Sequence, residues 1–259
     1  MPLNHEIAGD GPPLVLLPCL GADLSCWGFQ VPDYAARFRC ISVDLPGVGL
    51  SPPPTGPTST ARQADAVAAL LDAIGIARAH VAGVSLGAAV ATQLAARHPG
   101  RVASLGLHSG WVATDADMRA VLASWSALAA TTPTVADAVV EGIFPWAFTA
   151  EMYATRPEVL EEFGAIARSR PPQPLAGFRA QVEAVDGHDA RDLLSGIRVP
   201  TLVTVGDRDR LTPVRSADAL AGGIPGAELR ILDGLSHAGF NEDPARFTEI
   251  TLRFLASVP

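Results

Sequence analysis

The chain has 259 residues, of which 48% are hydrophobic, and a formal net charge of −8; it is long enough for one large α/β core and its acidity argues against nucleic-acid binding. No apolar run approaches the roughly 20 residues of a membrane span, and Met1 to Glu6 lack the basic and apolar pattern of a secretory signal, so a cytoplasmic protein with no membrane partner is expected. Lysine is absent, which excludes Lys Schiff bases, Lys-anchored pyridoxal phosphate, Ser-Lys dyads and a Walker A phosphate loop. Cys19, Cys26 and Cys40 are odd in number and lack metal-ligand spacing, so free thiols are expected in place of disulfides or zinc.

The first long core strand is predicted within Gly11-Pro12-Pro13-Leu14-Val15-Leu16-Leu17, and the loop Pro18-Cys19-Leu20-Gly21-Ala22-Asp23 follows it. A second core strand, Arg39-Cys40-Ile41-Ser42-Val43, runs into Asp44 and the Gly-containing segment Leu45 to Ser51. The apolar run Ala79-His80-Val81-Ala82 then meets Gly83-Val84-Ser85-Leu86-Gly87, and an Ala-rich stretch, Ala88 to Arg97, reads as a helix. A strand feeding a helix through Gly-x-Ser-x-Gly is the sequence form of a nucleophile elbow. So sharp a turn strains the serine backbone and presses helix against strand, so the flanking positions must lack side chains. A plain Gly/Ser turn at a strand end would give the same pentapeptide.

Val102 to Leu107 reads as a further strand, with His108 at its end. From about Ser109 to Asp192 the strand-helix alternation stops, and helical, proline-punctuated segments carry Trp111, Trp125, Phe144, Trp146, Phe148, Tyr153, Phe163 and Phe178. These rings could roof an apolar pocket or form the core of the segment itself. The β-branched strand Val199 to Val205 ends in Gly206-Asp207-Arg208-Asp209, and the strand Glu228 to Leu232 runs into Asp233-Gly234-Leu235-Ser236-His237. Carboxylate and imidazole thus follow the C-terminal ends of strands, where open α/β sheets bind ligands. A serine nucleophile needs such a base, oriented by such an acid.

With these segments in order, the chain resembles the α/β-hydrolase fold superfamily, in its capped esterase and enol-lactone hydrolase-like branch. The resemblance spans nearly the whole chain and implies a mostly parallel central sheet flanked by helices, with residues 1–108 and 193–259 as the core and 109–192 as an inserted helical cap. It selects Ser85, Asp209 and His237 as the catalytic triad, in the family's chain order, with Asp207 as the rival acid. The oxyanion hole would use the N–H groups of Leu20 and Leu86. Pro18 and Cys19 depart from the His-Gly usual before that donor, and Cys19 reads as a small buried hydrophobe in preference to a reactive thiol. Asp44 and its glycines would shape a tight structural loop. Trp111, Phe144, Trp146 and Trp27 are the substrate-binding candidates. The implied activity is acyl-enzyme cleavage of a carboxylic ester or lactone, bulky and apolar or cyclic, such as a secondary metabolite. It would need no metal or organic cofactor, and the protein would act on a small molecule as a monomer or homodimer. Perhydrolases, C–C hydrolases, lyases and non-hydrolytic binding proteins on the same fold are the alternatives.

Overall fold

The computed structural model describes residues 3–258. Its seven strands are β1 (His5–Ala8), β2 (Pro13–Leu17), β3 (Arg39–Val43), β4 (Ala79–Val84), β5 (Val102–His108), β6 (Thr201–Gly206) and β7 (Glu228–Leu232). They form one sheet in the order β1-β3-β2-β4-β5-β6-β7. β1 runs antiparallel to β3, and every other neighbouring pair is parallel. The inner parallel strands β2 to β6 carry near-continuous buried runs because helices cover both faces; all six residues of β4 are buried, whereas the edge strand β7 is largely exposed or half-buried. β1 is absent from the sequence-based prediction. It is a half-exposed edge strand of four residues, with too little apolar sequence to mark it.

Helices Thr60–Ala73, Leu86–Arg97, Val214–Gly223 and Pro244–Ser257 flank the sheet. Between β5 and β6 the chain leaves it as a helical insertion, with long helices Ala116–Ala129, Pro157–Ser169 and Leu175–Asp186 and a turn of π-helix at Val139–Ile143. An isolated antiparallel bridge between Ala113 and Asp189 closes its neck. There Thr114 N–H donates to the His188 carbonyl at 3.0 Å and Ala190 N–H to that of Val112 at 2.8 Å. No helix among the described residues is long and apolar enough to cross a membrane.

The insertion docks on the core through a glycine pair. A Cβ on Gly177 would lie 2.2 Å from the Gly47 carbonyl oxygen, and one on Gly47, at φ +85°, would lie 2.8 Å from the Gly177 Cα. Next to this contact Gln181, fully buried, accepts from the Gly21 N–H at 3.1 Å and ties the same helix to the loop after β2. Gly177→Ala should therefore force the two backbones apart. A loss of about 1–3 kcal/mol is expected from such overpacking, read as a lower urea midpoint with an unchanged slope.

Candidate active site

Ser85 joins β4 to the helix Leu86–Arg97 at φ 53° and ψ −116°, a region that L-residues rarely occupy. Two glycines make that turn possible. A Cβ on Gly83 would sit 2.2 Å from the Gly87 carbonyl oxygen, and one on Gly87 would sit 2.2 Å from that of Leu17. Ser85 N–H is held by the His108 carbonyl at 2.9 Å, while the residue itself stays half-buried and lines a cavity of about 630 Å³. Leu86 begins the helix, where an N–H has no carbonyl a turn earlier to bond. Its side chain is buried in the core, and Leu20 lines the cavity.

Beyond β6, Asp209 lies buried with every lone-pair direction engaged. Its Oδ1 accepts the N–H groups of Leu211 and Thr212, each at 2.9 Å. Its Oδ2 lies 2.7 Å from the Thr212 hydroxyl and 2.8 Å from His237 Nδ1. Since a carboxylate only accepts, the Nδ1 facing it carries the hydrogen and leaves Nε2 as the basic nitrogen. Burial alone would lower the His237 pKa, but the charge of Asp209 and its hydrogen bond outweigh it and hold the pKa above the ordinary 6.5. Asp207 is exposed and accepts from the Gly234 N–H at 2.7 Å, so it braces the neighbouring turn and leaves His237 to Asp209.

Three further residues brace this pair, and of them only Glu242, which opens the Glu-x-Pro after the histidine turn, belongs to a sequence motif. Thr212, fully buried, touches Asp209, His237 and the Ser109 carbonyl. Ser109 stands at φ 49° just past β5 and donates its hydroxyl to the His237 carbonyl at 2.9 Å. Glu242, only 3% exposed, accepts the Ser236 N–H at 2.6 Å and the Thr149 N–H at 2.7 Å. It thereby fastens the insertion to the residue preceding His237. Asp44 behaves as a loop-shaping residue: it accepts from Asn4 Nδ2, Leu24 N–H and Leu50 N–H at 2.7, 2.7 and 2.9 Å.

His237, Ser85 and Leu20 share the cavity with Trp111, Phe144, Trp125 and Phe148, and its wall is mostly apolar. Two expected substrate contacts lie elsewhere. Trp146 is on the face of the short helix Phe144–Ala147 opposite Phe144 and Ala147, and packs under the Arg210 guanidinium at 5.4 Å. Trp27, fully buried, points behind the site onto His108, Phe240 and Phe247 at 6.0, 5.9 and 6.3 Å between ring centroids. Ser25 and Cys26 take the cavity side of its turn. Cys19 also departs from expectation, being half-buried on the cavity wall with its Sγ 3.8 Å from that of Cys26. Phe29 and Phe240 line the cavity from outside the aromatic-rich insertion. Arg168 and Arg170 reach the wall too, but each Nε is bound to an aspartate, Asp137 at 2.8 Å and Asp23 at 2.7 Å.

A family model described as alpha/beta hydrolase fold matches residues 12–244. The chain belongs to the α/β-hydrolase family, and it is a hydrolase. It is 32% identical over 258 residues to a protein of Azorhizobium caulinodans named "Putative carbamate hydrolase RutD", covering 99% of this chain and 96% of that one. It is also 32% identical to a pimeloyl-[acyl-carrier protein] methyl ester esterase of Aeromonas hydrophila, covering 98% of this chain and all of that one (100%). Among solved structures, the enol-lactonase of Burkholderia xenovorans superposes with a TM-score of 0.89 at 30% identity, covering 98% of this chain and 96% of that one.

Glu242 offers a direct check on how the site is held together. Glu242→Ala leaves two buried N–H groups without an acceptor, for an expected loss of about 2–5 kcal/mol. Glu242→Gln, which keeps one oxygen, should lose less; equilibrium denaturation of the two variants measures the difference.

Proposed function

We propose that the chain is a serine hydrolase that cleaves a neutral, bulky carboxylic ester or lactone through an acyl-enzyme. The observation that carries the reading is the convergence of Ser85, on its strained elbow, with His237 on one cavity wall while Asp209 holds His237 from behind. His237 Nε2 takes the hydroxyl proton as Ser85 Oγ attacks the substrate carbonyl. The N–H groups of Leu86 and Leu20 stabilise the oxyanion, the first with help from the positive end of its helix. Collapse of the tetrahedral intermediate expels the alcohol, which takes the proton from His237. Water activated by the same nitrogen then releases the acid.

The cavity supports the substrate class. Its volume of about 630 Å³ lies within the ordinary range for small-molecule sites. Trp111, Trp125, Phe144 and Phe148 give it an aromatic wall. Both lining arginines are engaged by aspartates, an arrangement that favours a neutral substrate over a dicarboxylate. The esterase and the enol-lactonase among the relatives act, by their names, on compounds of the same two classes.

A fluorophosphonate should label the wild type once, and Ser85→Ala should lose both the label and the turnover of p-nitrophenyl esters. Intact mass and absorbance read the two outcomes, and a label retained in the variant would overturn the assignment. The pH profile tests the dyad. Neutral His237 is the active base, so kcat/KM should fall as pH drops through a midpoint above the ordinary 6.5. Asp209→Asn removes the charge that raises the pKa, moving that midpoint down and lowering kcat by about 10⁴-fold.

A further inference from the structure

Cys19 and Cys26 stand seven positions apart in sequence on either side of a folded loop, and the reaction described above uses neither thiol. The loop is braced so that the two sulfurs converge. Ala22 N–H bonds the Cys19 carbonyl at 3.3 Å, and Cys26 N–H bonds the Asp23 carbonyl at 3.0 Å. Asp23 caps the short helix of Cys26 through the Ser25 N–H at 2.9 Å and is itself pinned by Arg170. The sulfurs lie 3.8 Å apart, and both residues line the cavity, half-buried. A small solute in the cavity therefore reaches them.

We propose that Cys19 and Cys26 form a redox site in which a hydroperoxide oxidises Cys19 and Cys26 resolves it as an intraloop disulfide. The Cys19 thiolate attacks the peroxide; an S–O bond forms, the O–O bond breaks, and the peroxide is reduced to water or an alcohol after taking up a proton. Cys26 then attacks the Cys19 sulfenic sulfur, an S–S bond forms, and water leaves with the Cys26 proton. The pair as a whole loses two electrons and two hydrogens. Electrostatics favour this division of roles. The Cys26 S–H hydrogen bond, followed by the nearby His237, draws the Cys19 pKa down against the opposing effects of burial and Asp23. The same hydrogen bond and burial push the Cys26 thiol well up. Cys40, buried on β3 and pushed up to about 11 by burial, lacks both access and activation.

The disulfide acts on the site described above, and that consequence rests on the Ser85 reading. Closing the sulfurs from 3.8 Å to about 2 Å drags Cys19 towards Cys26. The neighbouring Leu20 N–H, the second proposed oxyanion donor, moves with it. Oxidation thus switches acyl transfer off and a dithiol reductant switches it on.

The test treats the full chain with hydrogen peroxide, quenches with catalase, and reads intact mass, a non-reduced peptide map and p-nitrophenyl ester turnover, before and after dithiothreitol. The expected result is loss of the mass of two hydrogens, a Cys19–Cys26 linked peptide, and at least a tenfold fall in turnover that dithiothreitol reverses. In Cys26→Ser, peroxide in the presence of dimedone should leave the adduct on Cys19. Wild-type protein whose Cys19 and Cys26 both still alkylate with iodoacetamide after peroxide overturns the redox site. A linked form with undiminished turnover overturns the switch. The peptide map needs no catalysis by Ser85, so failure of the hydrolase reading and failure of this one are told apart.

Discussion

The site depends on how closely three stretches of backbone approach one another where the helix Leu86–Arg97 begins. Gly87 lets the Leu17 carbonyl come within the space of a methyl group, and Gly83 does the same for the Gly87 carbonyl. These contacts bring the start of the helix, the end of β4 and the loop after β2 together, and they force Ser85 into its positive φ. Backbone strain of this kind costs on the order of 1–3 kcal/mol and persists only where its surroundings over-determine it. Here the surroundings are the helix itself, in which Leu86 to Ala95 are all buried. The same approach sets the loop carrying Leu20 beside the first free N–H of that helix. The proposed nucleophile and the proposed oxyanion donors therefore share one steric cause.

A second constraint is carried by buried carboxylates, each accepting hydrogen bonds on both oxygens. Asp209 orients His237, Asp44 binds the loop after β2 to the loop after β3, and Glu242 joins the insertion to the histidine loop. Asp209 was legible in the sequence because its loop resembles a family motif, and the motif alone could rank it against Asp207. Geometry separates them through Thr212, whose N–H and hydroxyl both face Asp209. The roles of Thr212 and Ser109 could not be read in advance, because they arise from contacts between segments distant in the chain. Glu242 was marked only as the start of the Glu-x-Pro after the histidine turn, a motif that does not tell which N–H groups it holds.

The inner strands of the parallel sheet were legible because their residues are mostly apolar or β-branched and buried. The aromatic insertion was legible as a whole but not residue by residue. Trp146 and Phe144 are two positions apart in a helix of one turn, and that spacing turns one ring to the cavity and the other to Arg210. Trp27 and Cys26, adjacent in sequence, are separated in the same way. Helical phase over four residues is too short to be read from hydrophobicity, so composition found the wall while only the fold could assign its members.

Phe29 and Ile166 are both part of the cavity wall and remain 49% and 45% exposed, so they face the cavity on one side and solvent on the other. Neither takes part in the glycine contacts or the buried carboxylate bonds. Exchanges at this rim can alter the length or bulk of the group admitted while the strained serine turn and the histidine loop keep their shape. The protein's substrate range is thus free to drift at its threshold under selection, one side chain at a time, with the chemical machinery carried along unchanged.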